Sequence, residues 1–262
     1  MFELLKYWSR QRLRGALALS VGLAGLAAVY VWMYPSFGTD FDFDQYLEQF
    51  PEIFREMFNI ASMNTIEGFL AAELYAFGWV LLLGVYLAYA AAGTIAGEID
   101  RQRVDILLSL PVMRSRVVLG QYLSLLVPIV LVNVIVPPVV YLSSVLVGYP
   151  MPVVELVVVH VLSVPYLLAC AAIGLVLSVI SSRDTVAQRG ALVLMFGLFL
   201  FESLVTTVDL DWLGAIAPMR YYDPTAVLVH TQYDLGGAVM VLAAAVGLVV
   251  ISQVIFTRRD VP

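Results

Sequence analysis

The sequence predicts an all-α integral membrane protein with six transmembrane helices. The first observation is composition: 61% of the residues are hydrophobic, 13% are charged and the mean hydropathy is +0.92. Soluble proteins carry about 25% charged residues. The second observation is a set of six apolar segments, each about as long as the roughly 20 residues that a helix needs to cross a bilayer. They lie near 15–34, 69–97, 117–147, 153–180, 190–208 and 236–256 of a single transmembrane domain, 1–262.

Each apolar segment must be helical because lipid offers no hydrogen-bond partners to an extended backbone. The cationic residues between the segments then predict the orientation. Twelve of the 14 lysines and arginines fall on one side of the predicted spans, and only Arg55 and Arg220 fall on the other. Since cytoplasmic loops are enriched in lysine and arginine, both termini are predicted to be cytoplasmic. The other cationic residues are Lys6, Arg10, Arg12, Arg14, Arg101, Arg103, Arg114, Arg116, Arg183, Arg189, Arg258 and Arg259.

The leader before the first span mixes apolar, aromatic and basic residues. This pattern predicts an N-terminal interfacial helix on the cytoplasmic surface, with Leu4, Leu5 and Trp8 facing inward. The first span is longer than the apolar region of a signal peptide and ends in Trp32 and Tyr34, which suit a membrane interface. We therefore expect it to be retained as a transmembrane helix.

The outer loop, residues 35–68, begins with three aspartates that resemble the opening of a calcium-binding loop. Gln45 and Pro51, however, stand where that motif has glycine and glutamate, so a solvated acidic loop is the preferred interpretation. Apolar residues at helical spacing between Tyr46 and Phe58 predict short interfacial helices in the same loop. The three aspartates are Asp40, Asp42 and Asp44.

Small residues and prolines mark two of the spans. Ala92, Gly93, Ala96 and Gly97 at the end of the second span predict close packing against another helix of the same subunit. The third span carries three prolines and Asn133, which predict a kinked helix. The prolines are Pro128, Pro137 and Pro138.

Few groups in the chain could perform chemistry. His160 is the most deeply placed ionisable residue, and we interpret it as a side chain satisfied by a helix neighbour. The single cysteine, Cys170, lies in an apolar run and is interpreted as a packing residue. There is no P-loop sequence and no other catalytic motif, so we expect neither enzymatic activity nor a cofactor or metal bound by this chain.

The segment between the fifth and sixth spans is semi-apolar and interrupted by Gly214, Pro218 and Pro224. It is too short for two more spans and predicts short re-entrant or interfacial helices on the outer side. Trp212, Tyr221 and Tyr222 are expected to lie at the membrane interface.

Residues 98–122 separate the second and third spans and form the only long polar and amphipathic stretch between two spans on the predicted cytoplasmic side. It contains the motif Glu98-x-Asp100 and then VDILLSLPVMR from Val104 to Arg114. This stretch resembles the segment between the second and third spans of type-2 ATP-binding-cassette (ABC) transporter permeases. That family usually has Gly-Thr where this chain has Gln102 and Arg103, and a lysine where it has Gln121.

The resemblance extends to two further motifs and to the topology. One is P-x-R-Y-Y-D-P before the last span, and the other is F-x-R-R-D at the end of the chain. The first comprises Pro218, Arg220, Tyr221, Tyr222, Asp223 and Pro224, and the second Phe256, Arg258, Arg259 and Asp260.

Membership of that family implies a permease subunit of an ATP-driven exporter in the cell membrane. Residues 98–116 would form a cytoplasmic coupling helix that docks on a separate ATPase, of which two copies bind ATP and Mg²⁺. The permease would pair with itself or with a related permease, surrounded by lipid and without nucleic acid. The implied coupling residues are Glu98, Asp100, Asp105, Leu107, Leu108, Pro111 and Arg114.

Two alternatives remain open at the level of sequence. The polar stretch could be an ordinary basic loop with an amphipathic helix on the membrane. The chain could also be an anchor or assembly subunit that recruits a cytoplasmic ATPase and moves no solute. An ion-coupled carrier is disfavoured because central charged residues are missing.

Overall fold

The computed structural model describes residues 2–38, 64–102, 112–207 and 211–259, which form helices joined by short turns. Six helical segments in this part of the chain are long and apolar enough to cross a membrane, in agreement with the predicted number. The predicted interfacial helices between Tyr46 and Phe58 and the three aspartates of the outer loop lie outside the described residues. The spans, numbered 1 to 6, are Glu3–Ser36, Ile66–Asp100, Arg114–Leu146, Val153–Ile180, Asp184–Val205 and Leu235–Arg258.

Span 1 belongs to one helix, α1, that runs from Phe2 to Gly38. The leader is therefore helical and continues directly into span 1 as one helix. Trp8 is buried against span 3, where a Cβ atom on Gly120 would lie 2.7 Å from its ring. Arg12 Nε also donates a hydrogen bond to Ser124 Oγ at 2.8 Å. These contacts attach the leader to span 3.

Span 2 changes helix type along its length. A short α-helix, α2 (Ile66–Leu70), leads into a π-helix over Ala71–Leu83 and then into α3 (Gly84–Asp100). A π-helix has one residue more between hydrogen-bonded groups than an α-helix, and π-helical turns are frequent at functional sites. The sequence of this span, which is mostly apolar and carries Glu73 near the start of the π-helix, did not indicate the change.

Span 3 is divided at Leu125 into α4 (Arg114–Ser124) and α5 (Leu126–Leu146). The interruption lies one turn before Pro128. Proline has no backbone N–H, and its ring clashes with the carbonyl group four residues earlier, here that of Ser124. Pro137 and Pro138 lie within α5, which continues through them.

Span 4, helix α6 (Val153–Ile180), is the centre of the bundle and packs closely on span 2. A Cβ atom on Gly174 would overlap the carbonyl group of Ala88, so only glycine permits this approach. The hydroxyl of Ser178 accepts hydrogen bonds from the backbone N–H groups of Ile95 and Ala96 at 2.8 and 3.0 Å.

The predicted small-residue contact at the end of span 2 involves span 5 as well as span 4. Span 5 belongs to helix α7, Asp184–Thr207. A Cβ atom on Gly93 would overlap Gln188, and one on Gly97 would lie 3.8 Å from Asp184. Gly93 therefore leaves room for the Gln188 side chain of α7, whereas a Cβ atom at residue 97 would make only an ordinary van der Waals contact.

Spans 1, 5 and 6 lie on the outside of the bundle. Span 6 is helix α9, Leu235–Arg258, and packs on span 4, while span 1 packs on span 3. Each of these three spans has an exposed face of large apolar side chains, which lipid or another protein must cover. Examples are Val21, Trp32, Val193, Phe196, Val239 and Val246.

Successive spans run in opposite directions, so the beginnings of spans 1, 3 and 5 lie beside the ends of spans 2, 4 and 6. We call this the arginine-rich end of the bundle, after Arg14, Arg101, Arg114, Arg183 and Arg259. At the opposite end, the Tyr34 hydroxyl donates to the Asn64 carbonyl at 2.7 Å, and its ring packs against Tyr149 at 5.1 Å.

Candidate functional site

Three of the predicted coupling residues are described by the structure, and all three flank the 103–111 segment at the arginine-rich end. Glu98 and Asp100 lie in the last turn of α3, and Arg114 is the first residue of α4. The prediction that Glu98 and Asp100 begin a helix therefore differs from the structure, in which they end one. The remaining coupling residues, Asp105, Leu107, Leu108 and Pro111, lie outside the described residues.

The flank that follows span 2 contacts the beginning of α7. Asp100 Oδ2 accepts a hydrogen bond from the backbone N–H of Asp184 at 3.3 Å, at the positive end of the α7 dipole. Arg101 lies 3.8 Å from the Asp184 carboxylate. Because Arg101 is 59% exposed, this ion pair contributes little to stability.

Gln102, on the same flank, adopts a left-handed backbone conformation. Its φ angle is +54°, and its N–H donates to the carbonyl of Ile99 at 3.0 Å, which terminates α3. Glycine is favoured at such a position because it has no Cβ to clash with the backbone. Gln102 stands where the permease family that the sequence resembles usually has glycine, so its φ angle supplies a physical reason for that preference.

The flank that precedes span 3 contacts the end of the chain. Arg114 donates a hydrogen bond to the carbonyl of Arg259 at 2.7 Å. The guanidinium of Arg259 in turn donates to the carbonyls of Val179 and Ser181 at 2.5 and 2.9 Å and to Ser182 Oγ at 2.6 Å. Carbonyl groups at the end of a helix have no partner within it, so Arg259 caps span 4.

Both flanks of the 103–111 segment are thus connected to the turn between spans 4 and 5. One connection passes through Asp184 and the other through Arg114 and Arg259. The sequence drew attention to Arg258 and Arg259 but not to the partners of Arg259, of which Ser181 lies 78 positions earlier. Contacts over such separations leave no local signal in one sequence.

At the opposite end lies the segment between spans 5 and 6, which we call the outer segment after its predicted side of the membrane. It contains two 3₁₀ helices, Asp211–Ile216 and Pro218–Tyr221, and helix α8, Pro224–Leu228. Asp223 caps α8, since its Oδ1 accepts from the N–H groups of Thr225 and Ala226 at 2.8 and 3.0 Å. Pro224 occupies the first helical position, where its missing N–H costs nothing.

Arg220 connects this outer segment to span 5. Its guanidinium lies 3.4 Å from Glu202 Oε1, and both side chains are partly buried, at 30% and 13% exposed. A Cβ atom on Gly214 would overlap the Glu202 carboxylate, so glycine at that position makes room for the ion pair.

The three aromatic residues predicted at the membrane interface have different environments. Trp212 is exposed and Tyr221 is partly exposed, whereas Tyr222 is buried and stacks on Tyr166 of span 4 with 5.5 Å between ring centroids. The prediction for Tyr222 was wrong because α8 packs on spans 2 and 4. Burial raises the pKa of Tyr222 well above its usual range, so the phenol stays protonated at neutral pH.

A cavity of about 370 Å³ lies between the outer segment and span 4. Tyr222 lines it together with polar residues that follow α8. The lining also includes Leu162, Arg220, Tyr221, Asp223, Gln232 and Asp234.

These features agree with a comparison against protein families. The family described as ABC-2 family transporter protein matches residues 19–261, a range that includes both flanks at the arginine-rich end and the whole outer segment. No curated protein matches the chain in sequence. The chain, a multi-pass membrane protein with six apolar helices, belongs to the ABC-2 family of transporter proteins.

Proposed function

We propose that the chain is the permease subunit of an ATP-driven exporter and that residues 98–116 couple it to a separate ATPase. The supporting observation is that both flanks of the 103–111 segment are linked to the turn between spans 4 and 5. A force applied to this segment would be passed to spans 2 and 3 directly and to spans 4 to 6 through Asp184 and Arg259. An ordinary loop would not need both connections.

We place the ATPase on a separate protein, because the 262 residues contain no P-loop and membership of the ABC-2 family implies association with an ABC ATPase subunit. We propose two copies of it, each binding ATP and Mg²⁺. Leu107 and Leu108 would provide the apolar contact to the ATPase, and Glu98, Asp100, Asp105, Pro111 and Arg114 would shape and orient the segment.

We propose that the arginine-rich end is cytoplasmic, so that both termini lie inside the cell. Twelve of the 14 lysines and arginines in the sequence belong to this side, the distribution expected of cytoplasmic loops. Single cysteines at Ser182 and Gln232 would test the orientation, since the native Cys170 is buried. A membrane-impermeant thiol reagent should label Gln232→Cys in intact cells and Ser182→Cys only after the membrane is opened.

The exposed apolar faces of spans 1, 5 and 6 support association with a second permease, either another copy or a related chain. Closure of the two ATPase copies would then move the two permeases about the axis between them. Part of the apolar surface would face lipid in the cell membrane.

The coupling role is tested by changing Leu107 and Leu108 to aspartate. The double variant should insert into the membrane normally but no longer co-purify with its ATPase, because the apolar contact is lost. Leu235→Asp is the matched control, since Leu235 is exposed at the opposite end of the bundle. Unchanged co-purification of the Leu107/Leu108 variant would refute the coupling role.

Transport is separated from anchoring by reconstituting the complex in lipid vesicles. An exporter should show an ATPase rate that rises with the transported solute or lipid and accumulation of that solute on the far side. An ATPase rate that no solute changes, together with normal complex formation, would favour the anchor.

A further inference from the structure

Four buried side chains form an aromatic cluster beneath the outer segment. Tyr75 and Trp79 come from the π-helix of span 2, His160 from span 4 and Tyr222 from the outer segment. The His160 ring contacts Tyr75 and Trp79 edge-on, with centroid distances of 5.3 and 5.2 Å. Tyr222 approaches from the outer segment and stacks on Tyr166, which follows His160 in span 4, with 5.5 Å between ring centroids. All four side chains are at most 3% exposed.

Each member of this cluster carries a buried polar atom without a hydrogen-bond partner among the described residues. The atoms are Tyr75 Oη, Trp79 Nε1, His160 Nε2 and Tyr222 Oη. An unpaired buried polar group costs about 1–3 kcal/mol, and more than about 90% of such groups in proteins are paired. Four orphan groups on neighbouring rings are therefore unlike the rest of this core, in which Tyr122, Tyr166 and Ser163 all donate to carbonyl groups.

The four groups include both hydrogen-bond donors and hydrogen-bond acceptors. His160 Nδ1 lies 2.8 Å from the carbonyl of Leu156, and a carbonyl can only accept, so Nδ1 carries the proton of the neutral ring. His160 Nε2 is then an acceptor, Trp79 Nε1 is a donor, and the two tyrosine hydroxyls can do both. A ligand that serves the cluster must both donate and accept.

Water has this capacity, and its size suits a packed interior. A buried water makes about three hydrogen bonds, so one or two molecules would serve the four groups. Tyr222 also lines the 370 Å³ cavity, so this member of the cluster borders a space large enough to hold water. The π-helix contributes two of the four side chains, and its wider turns are the irregular feature of span 2.

We propose that Tyr75, Trp79, His160 and Tyr222 form an internal hydration site in which ordered water links spans 2 and 4 to the outer segment. The link differs from a direct hydrogen bond because water can be exchanged or re-oriented when the outer segment moves. The site depends only on these four residues and holds whether or not the chain is an exporter.

Radiolytic hydroxyl-radical labelling of the purified full chain in lipid nanodiscs tests the site, because radicals formed from bound water label adjacent side chains. Tyr75, Trp79 and Tyr222 should be labelled several-fold faster than Phe256, which is equally buried but apolar in its surroundings at the arginine-rich end. Labelling of all three at the Phe256 rate would overturn the proposal.

Thermal unfolding of two variants in the same nanodiscs provides an independent result. Tyr75→Phe should lower the midpoint temperature, as Tyr166→Phe should, because each removes a hydroxyl that has a partner. If the Tyr75 hydroxyl had no water or other hydrogen-bond partner, Tyr75→Phe would leave the midpoint temperature unchanged or raise it. That result would overturn the proposal even if the labelling were fast.

Discussion

The guanidinium of Arg259 donates a hydrogen bond to the carbonyl of Ser181 at 2.9 Å and thereby joins the end of the chain to the turn between spans 4 and 5. The same guanidinium reaches the Val179 carbonyl and Ser182 Oγ, while the Arg259 carbonyl accepts from Arg114. Arg259 therefore links the end of span 4, the end of span 6 and the beginning of span 3. These are the elements beside the predicted coupling segment.

Replacement of Arg259 by alanine should lower the free energy of unfolding by about 2 kcal/mol, since hydrogen bonds from a charged donor to three acceptors are lost. Arg259→Lys should recover only part of the loss, because an ammonium group cannot reproduce the planar fork of a guanidinium. The measurement is thermal unfolding of the purified permease. Arg258, the exposed neighbour, is the control, and its replacement by alanine should change stability by less than about 0.5 kcal/mol. Equal effects at Arg258 and Arg259 would contradict the capping role.

Gln102→Gly should be tolerated or slightly stabilising, whereas Gln102→Val should be destabilising. The backbone at residue 102 has a φ angle of +54°, where a residue with a Cβ is strained by about 1–2 kcal/mol and a β-branched side chain by more. Met113→Val is the control on the other flank of the segment, because its φ of −63° and ψ of 139° suit valine. Thermal unfolding and co-purification with the ATPase would both be measured. The explanation fails if valine is accepted equally well at residues 102 and 113.

Gly174→Ala should separate spans 2 and 4. The added methyl group would overlap the carbonyl of Ala88, which belongs to a helix backbone and cannot rotate away. Overpacking of this kind costs about 1–3 kcal/mol. Gly247→Ala in span 6 is the matched control, since a Cβ there meets no atom within 4 Å and alanine favours a helix by about 1 kcal/mol. The unfolding midpoint should fall for the first variant and hold or rise for the second; the opposite order would show that the two spans are not in close contact.

Glu202 and Arg220 should be energetically coupled across the join between span 5 and the outer segment. Their atoms lie 3.4 Å apart, and both side chains are partly buried, so screening by water is incomplete. A double-mutant cycle with Glu202→Gln and Arg220→Gln should give a coupling energy of about 1 kcal/mol in thermal unfolding. The cycle cancels the interactions that each residue makes with other groups. A coupling energy of zero would show that the ion pair does not stabilise the contact between span 5 and the outer segment.

The arrangement of spans was largely predictable because lipid leaves the chain few choices. An apolar segment long enough to cross the bilayer must be helical, so the runs around Leu23, Leu87, Val132, Leu167, Leu198 and Val246 indicated six helices. Prolines were less informative. Pro128 follows the interruption at Leu125, whereas Pro137 and Pro138 lie in an unbroken helix. The effect of a proline on a helix depends on how the surrounding helices accommodate the missing hydrogen bond.

The sites at the two ends of the bundle were predicted unequally. Glu98, Asp100 and Arg114 were identified by their motif, but the motif contains no record of Asp184 or Arg259 as their partners. Tyr222 was assigned to the membrane interface because tyrosines favour it. In the folded chain α8 packs on spans 2 and 4, and Tyr222 is buried beneath it.

By itself, the sequence determined that this protein has six segments apolar enough to cross a membrane, that most of its arginines lie between alternate segments and that it contains no P-loop sequence. These properties depend on local composition and on the presence or absence of short motifs. Only the tertiary structure decided that Arg259 caps span 4 and that Tyr75 and Trp79 of span 2 pack edge-on against His160 of span 4. Each of these depends on contacts between residues far apart in the chain, and the free energy of such contacts is set by packing in three dimensions.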